Sequence, residues 1–334
     1  MPYIPHFHVT PHLLTMIEEI SAYRQKILTA TIQVPWIPIL QRDSRTRTTH
    51  SSTAIEGNPL TLEEVRALEE GRPLVAAGER AKKEILNQLA GLRFIEKYQN
   101  KKVVTGADLS RLHKIIALNV MDQGEPGRYR TFGVRVGMYV PPTASEVPGL
   151  MRGYLDWWNQ KSSEWSPVIS SAILHYRFEE IHPFGDGNGR MGRTLALWEL
   201  YRRGFDTHHI FSVDEVYWED RPRYYSQLDA VRKAKGDLTG WLEFSAEALH
   251  LTLERVLARI GRLAVTWTSG KVILTPKQER LLHILQDRGG LTPREVWKEL
   301  KITKQGAMKM LNPLLTAGLI RRIGTRKSGK YVMG

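Results

Sequence analysis

The chain has 334 residues, 48 Lys+Arg against 35 Asp+Glu and a formal net charge of +13, the size of about two domains with the charge content of a globular protein. It holds no cysteine, which excludes a disulfide framework, thiolate chemistry and a cysteine zinc site. No apolar run approaches the roughly 20 residues of a membrane crossing, and MPYIPHFHVTPHLL lacks the basic-then-apolar layout of a secretory signal, so a soluble, cytoplasmic protein with no membrane partner is expected.

The first helical signal is LLTMIEEISAYRQKIL, where Leu13, Ile17, Ile20 and Ile27 share a face. VPWIPIL follows and reads as broken by its prolines. In SRTRTTHSSTAIEGNPLTLEEVRAL a short helix is expected to end at Glu56, because Gly57 and Pro59 are stop signals. Thr61 with Glu64 forms a capping box that opens the next helix, and further helices are expected over 81–98 and 107–120. The pattern then changes. RYRTFGVRVGMYVPP alternates Phe132, Val134 and Val136 with polar neighbours, breaks at Gly137, resumes through 138–140 and stops at two prolines, which predicts a small β-hairpin. Helical periodicity returns over 147–158, 168–181, 191–203, 224–233 and 238–263, and TWTSGK around 266–271 reads as a linker.

From Lys271 to the end there are fourteen Lys/Arg and four Asp/Glu, a net +10 that leaves only +3 for the preceding 270 residues. TPKQERLLHILQDRGG, TPREVWKEL and ITKQGAMKMLNPLLTAGL read as three short helices, and IRRIGTRKSGKYVM as two strands about a basic glycine turn. That order is the one of a winged helix-turn-helix, whose third helix can enter a DNA major groove. Lys304, Lys309, Arg326 and Lys327 are then the expected phosphate contacts, since basic side chains displace counterions from nucleic acid. The same module used for dimerisation or protein docking is the alternative.

Residues 182–193 read HPFGDGNGRMGR. Gly187 to Gly192 formally match GxGxxG, but a dinucleotide fold needs a strand in front. Here Ile173, Leu174, Phe178 and Ile181 lie on a helical face, so that reading fails. What remains is a helix ending near His182-Pro183, a glycine-rich loop and a second apolar helix. Such a loop lets backbone N–H groups converge on an anion at a helix N-terminus. Arg190 and Arg193, three apart, share the first turn of that helix against its dipole, which suggests an anion between them. His182 suits proton transfer near neutrality. Asp186 supplies the single carboxylate that Mg²⁺ accepts beside phosphate oxygens and water, although it equally suits a helix cap. A base, a metal carboxylate and a phosphate cradle together describe phosphoryl or nucleotidyl transfer.

The stretch resembles the Fic family signature HPFxDGNGRxxR at every fixed position, GRYRTFGVRVGMYVPP resembles that family's target-positioning flap, and SSTAIEGN resembles its inhibitory motif [S/T]xxxE[G/N] through Ser52, Glu56 and Gly57. The resemblance implies a mainly α fold, a Fic-type helical bundle with a β-hairpin flap, here followed by a winged helix-turn-helix. The organisation it suggests is an N-terminal inhibitory segment over 1–60, a catalytic domain over 61–265 and the winged helix over 272–334. It implies Mg²⁺-dependent transfer of AMP from ATP to a Ser, Thr or Tyr hydroxyl of a target protein, self-modification included. His182 would deprotonate the hydroxyl, Asp186 would hold Mg²⁺, and Asn188 with the amides of Gly187 and Gly189 would hold phosphates. Arg190 would support them, Arg193 would grip the γ-phosphate, Phe184 would anchor the loop, and Glu56 would inhibit by competing for Arg193. Two alternatives stay open: removal of AMP from a modified protein, with Glu56 orienting water, and a DNA-binding regulator whose Fic portion senses nucleotide. A homodimer and DNA are the further partners considered.

Overall fold

The computed structural model describes residues 3–30, 36–74, 77–206, 208–265, 276–300, 302–316, 318–324 and 329–333. The described helices are α1 (Pro11–Thr29), α2 (Trp36–Ile55), α3 (Leu62–Glu69), α4 (Glu79–Lys97), α5 (Gly106–Ala117), α6 (Val147–Gln160), α7 (Pro167–Ile181), α8 (Asn188–Arg202), α9 (Val213–Glu219), α10 (Arg221–Lys233), α11 (Thr239–Val265), α12 (Pro276–Arg288), α13 (Pro293–Leu300) and α14 (Lys304–Thr316). Two strands follow, β1 (Ile320–Ile323) and β2 (Lys330–Met333), so the chain is mainly α. It divides into two compact units, Met1–Thr29 with Gln41–Val256, and Ala30–Leu40 with Leu257–Gly334.

In the first unit α7 and α8 pack together at the centre. Both are buried on nearly every side, α7 mostly through apolar side chains and α8 with the polar Asn188, Arg190, Arg193, Thr194 and Glu199 inside as well. Glu199 of α8 is fully buried and accepts from Trp158 Nε1 of α6 at 2.7 Å and from Ser170 Oγ of α7 at 2.9 Å, which ties the three helices together. Trp241 Nε1 of α11 donates to Ala172 O of α7 at 2.8 Å, and Gln88 Nε2 of α4 to Thr194 Oγ1 of α8 at 3.0 Å. The capping box at Thr61 and Glu64 opens α3 as expected. A second box, at Thr105 and Asp108, opens α5.

The VPWIPIL stretch does not break the chain into loop throughout. α2 runs twenty residues from Trp36, with Pro38 in the first turn, where a missing N–H costs nothing. Its polar composition hides its burial: Thr46, Thr49 and Ser52 are fully buried. Thr53 Oγ1 donates back to Thr49 O at 2.8 Å, Thr46 Oγ1 donates to Glu69 and Ser52 Oγ accepts from Arg193, so most of these hydroxyls find partners inside the fold. Likewise α8 begins at Asn188, three residues before the apolar periodicity starts, and the short α9 escapes periodicity altogether.

The hairpin over 128–142 is present in reduced form. Val136 and Tyr139 exchange N–H···O bonds of 2.9 and 3.0 Å about a two-residue turn at Gly137-Met138, where Gly137 has φ +57°, but the flanks form no strands. The turn presents Met138 and Val140 to solvent, 91% and 61% exposed. Tyr139 anchors its base, its hydroxyl donating to Glu180 O at 2.9 Å while Arg232 of α10 stacks 3.8 Å from its ring centroid.

In the second unit α12, α13 and α14 enclose a core of Leu281, Leu285, Val296, Leu311 and Leu314, joined by Ile320 and Tyr331 from an antiparallel β1–β2 pair in which Ile320 faces Met333. Thr292 and Glu295 cap α13, and Leu291 bridges to Tyr331. This is the winged helix. Lys309 is exposed on α14; Arg326, Lys327 and the side chain of Lys304 lie outside the described residues, as does the linker expected at 266–271.

Candidate active site

α7 opens on Pro167, with Ser166 Oγ accepting from Val168 N–H at 3.3 Å, and closes at His182. His182 adopts φ +49° while its N–H still donates to Phe178 O at 2.9 Å. A non-glycine residue in that region costs on the order of 1 kcal/mol and persists only where its surroundings hold it. Arg130 is the main restraint. Its backbone N–H donates to Pro183 O at 2.9 Å and its Nε to His182 O at 2.8 Å. Nη2 reaches Ile181 O (3.3 Å) and Pro142 O (2.5 Å), and Nη1 reaches Phe132 O (3.1 Å). Only 3% exposed, it is solvated by carbonyls alone, and burial pulls its pKa below the ordinary arginine value. It staples both ends of the flap to the end of α7. A lone arginine in a polar stretch gives no sequence signal of this task.

Phe184 is fully buried and stacks on His113 of α5, centroids 3.6 Å apart and planes 4° apart. His113 accepts from Gly127 N–H at Nδ1 (2.8 Å), and its Nε2 stands 2.9 Å from Asp186 O, an arrangement satisfied by a neutral ring protonated on Nε2. Burial pushes its pKa down to about 4, against the opposing bond to that carbonyl. Asn188 closes the loop from inside: Oδ1 accepts from Phe184 N–H and Nδ2 donates to Phe184 O, both at 2.9 Å. Its carboxamide therefore shapes the loop rather than facing outward. Gly187, at φ +75°, takes the cap position of α8, and Asp186 Oδ1 accepts from its N–H at 2.5 Å. With no side-chain cap on α8, the N–H groups of its first turn lack intrahelical partners.

Two arginines stand at this helix end. Arg190 is 4% exposed, yet its Nε and Nη1 have no hydrogen-bond partner, and its nearest charge is Asp186 Oδ1 at 3.7 Å. Buried unpaired donors are costly, so a guanidinium left this way is poised for an anion. Arg193 is fully partnered instead. Its Nε donates to Ser52 Oγ (3.0 Å), Nη2 to Ser52 O (2.9 Å) and Glu56 Oε1 (2.7 Å), and Nη1 to Tyr224 OH (3.3 Å); Asp214 lies at 3.8 Å. Burial opposes its charge, but Glu56, Tyr224, Asp214 and Glu179 hold its pKa well above the usual value. For Glu56 burial pushes upward, yet Arg193, Arg190 and His182 outweigh it and hold the carboxyl below its ordinary range. Gly189 makes room for this carboxylate, since a Cβ there would stand 2.2 Å from Glu56 Oε1.

The structure thus brings His182, Asp186, Gly187, Gly189, Arg190, Arg193, Ser52 and Glu56 to one place. The Asp186 side chain is 29% exposed, and among the described residues no three His, Cys, Asp or Glu side chains cluster as a metal cage. One accessible carboxylate beside an anion cradle fits Mg²⁺, which keeps most of its shell for water and phosphate. Arg130, His113, Glu179 and Tyr224 take part without having been legible as site residues.

The chain is similar to known proteins over both of its units. The Fic/DOC family model matches residues 104–200 and the MarR family model matches residues 274–330. A protein adenylyltransferase Fic from Nematostella vectensis is 33% identical over 217 residues, 63% of this chain and 48% of that protein. Protein adenylyltransferase fic-1 from Caenorhabditis elegans is 30% identical over 70% of this chain and 45% of its own length, so the chain spans about half the length of the curated relatives it matches. The crystal structure of a Fic family protein from Desulfovibrio desulfuricans G20 superposes with a TM-score of 0.70 at 28% identity, covering 99% of this chain and 98% of that one. Fic-1 (aa134–508) from C. elegans superposes with a TM-score of 0.66 at 25% identity over 75% of this chain and 73% of its own.

Proposed function

The chain carries a Fic domain followed by a MarR-like winged helix, and from that premise we propose that it is a protein adenylyltransferase, held in check by Glu56. The observation that carries this reading is the buried guanidinium of Arg190, its Nε and Nη1 without hydrogen-bond partners, beside the uncapped N-terminus of α8, with His182 on the same loop. The phosphates of ATP would meet the first-turn amides of α8 and the Arg190 guanidinium. Asp186 would hold Mg²⁺, which neutralises phosphate charge. His182 would take the proton of the target hydroxyl as its oxygen bonds the α-phosphorus and pyrophosphate departs. Arg193 is the second phosphate ligand when Glu56 releases it. The flap, with Met138 and Val140 outward and one bridge holding its turn, offers an edge to an extended segment of the target.

Intact-mass measurement after incubation with ATP and Mg²⁺ tests the reading. AMP adducts on the chain, or on a target mixture, should form and should vanish in His182→Ala, with loss of at least about 100-fold expected for a general base. An adduct undiminished in His182→Ala would overturn it.

The winged helix supports a second, compatible role in binding DNA, favoured by the MarR-family match and the +10 charge of the tail. Affinity for duplex DNA should fall steeply with salt, on the order of tenfold or more between 50 and 200 mM if only a few phosphates are contacted. No binding at low salt would leave the module to protein contacts.

A further inference from the structure

Glu179 stands one helical turn before His182 on α7 with its side chain 8% exposed. Its Oε2 lies 3.6 Å from His182 Nδ1, an ion-pair distance rather than a hydrogen bond, and its Oε1 has no hydrogen-bond partner. A buried carboxylate with an empty oxygen is costly to keep and calls for a reason. α8 makes the room for it. A Cβ on Gly192 would stand 2.7 Å from Glu179 Oε1 and 3.4 Å from the His175 ring, so a side chain at 192 would displace the carboxylate. The backbone oxygen of Glu179 faces the same His182 nitrogen at 3.4 Å. Both neighbours of Nδ1 are acceptors, which favours a proton there and leaves Nε2 with its lone pair.

We propose that Glu179 is a positioning residue acting through His182, with Gly192 as its seat: it fixes the ring's tautomer and orientation and stabilises the imidazolium formed as His182 accepts a proton. This rests on His182 being the base of the transfer. In the step, the O–H bond of the target alcohol breaks and its proton moves to Nε2. The alcohol oxygen bonds the α-phosphorus, and the bond to pyrophosphate breaks. Glu179 keeps its own charge and gains no proton, the part an orienting carboxylate plays behind a catalytic imidazole. The other titratable groups that interact with this pair are Glu56 from the end of α2, which interacts with the His182 ring, Arg193 of α8, which interacts with both carboxylates, and Tyr224 of α10, whose hydroxyl feels Glu179.

The test uses the full chain in a Glu56→Gly background, with ATP and Mg²⁺, reading adduct formation against pH and the His182 ring by ¹⁵N NMR without nucleotide. Glu179→Gln, nearly isosteric, should lower kcat about 10- to 100-fold with KM for ATP unchanged. It should move the acid limb of the pH–rate profile to lower pH, because a carboxylate favouring the protonated ring is gone, and should shift the ring nitrogens away from the Nδ1–H pattern. Gly192→Ala should reproduce these effects, and the double variant should add little to either. An unchanged kcat, or a lower kcat with unmoved limb and ring signals, would overturn the proposal and leave Glu179 a spacer. If the Glu56→Gly parent gave no adduct, the transferase reading would fall, while the ring signals would still decide the contact.

Discussion

Glu56→Gly is expected to raise ATP-dependent AMP labelling about tenfold or more over the native chain. The physical ground is competition for one guanidinium. Arg193 reaches Glu56 Oε1 at 2.7 Å, Ser52 of α2 accepts from its Nε and Nη2 and Tyr224 OH from its Nη1, so the arginine is pre-engaged before nucleotide arrives. A charge-assisted hydrogen bond contributes about 1.5–3 kcal/mol, and since the Glu56 side chain is 37% exposed, the lower end, about tenfold, is the sound choice. Gly189 adds a steric part. The carboxylate occupies the space directly over its Cα, against the loop amides a phosphate would need. Glycine at 56 clears both. Acid does not substitute for the mutation. The Glu56 carboxyl is held below its ordinary range, so its pairing is intact above the unfolded value of about 4.3 and is lost only as pH falls through the still lower folded one. The ratio of variant to native rate should therefore stay flat from about pH 5 to 8. Equal labelling of the two proteins would remove Glu56 from any inhibitory role.

The candidate site is legible in the sequence because its residues are contiguous: His182, Asp186, Gly187, Arg190 and Arg193 fall within twelve residues, and the structure gathers them at the start of α8. The capping box at Thr61 and the winged-helix order are legible for the same reason, since each is a local signal. What escapes is long-range. α2 reads as a polar stretch because its buried side chains are largely hydroxyls, whose partners (a carbonyl of its own for Thr53, Glu69 for Thr46, Arg193 for Ser52) cannot be read from hydropathy, which gives no hint that it lies inside. The flap reads as two strands because alternation registers side-chain pattern but not pairing, and the structure forms one bridge. His113 supports Asp186 from 73 residues away, and Arg130 supports His182 from 52. No spacing rule links them. In each case a carbonyl is the acceptor, and a carbonyl has no letter in the sequence.

Arg130→Met is expected to lower stability by about 3–5 kcal/mol, the range for breaking a buried polar network, and to lower Tm by roughly 10 °C at about 2–4 °C per kcal/mol for a unit of this size. The opposite outcome has a real argument behind it. Burying a guanidinium without a carboxylate is expensive, as its lowered pKa reflects, and replacing a buried ion by an apolar side chain is often neutral. That argument requires both sides of the interaction to become apolar. Here the acceptors are backbone carbonyls of Ile181, His182, Phe132 and Pro142, which no side-chain substitution removes. Stranded acceptors cost about 1–3 kcal/mol each before relaxation, so their loss outweighs the relief of desolvation. Arg130→Lys keeps the charge but lacks the planar fork, and should recover only part of the loss. The same substitution frees both ends of the flap at once, so Arg130→Met should also be cut sooner by protease near Gly137-Met138, where Met138 already stands 91% exposed. A variant that melts within a degree or two of the native chain, with its flap equally protected, would show that the strained turn at His182 is held by Pro183 and the α7–α8 packing alone.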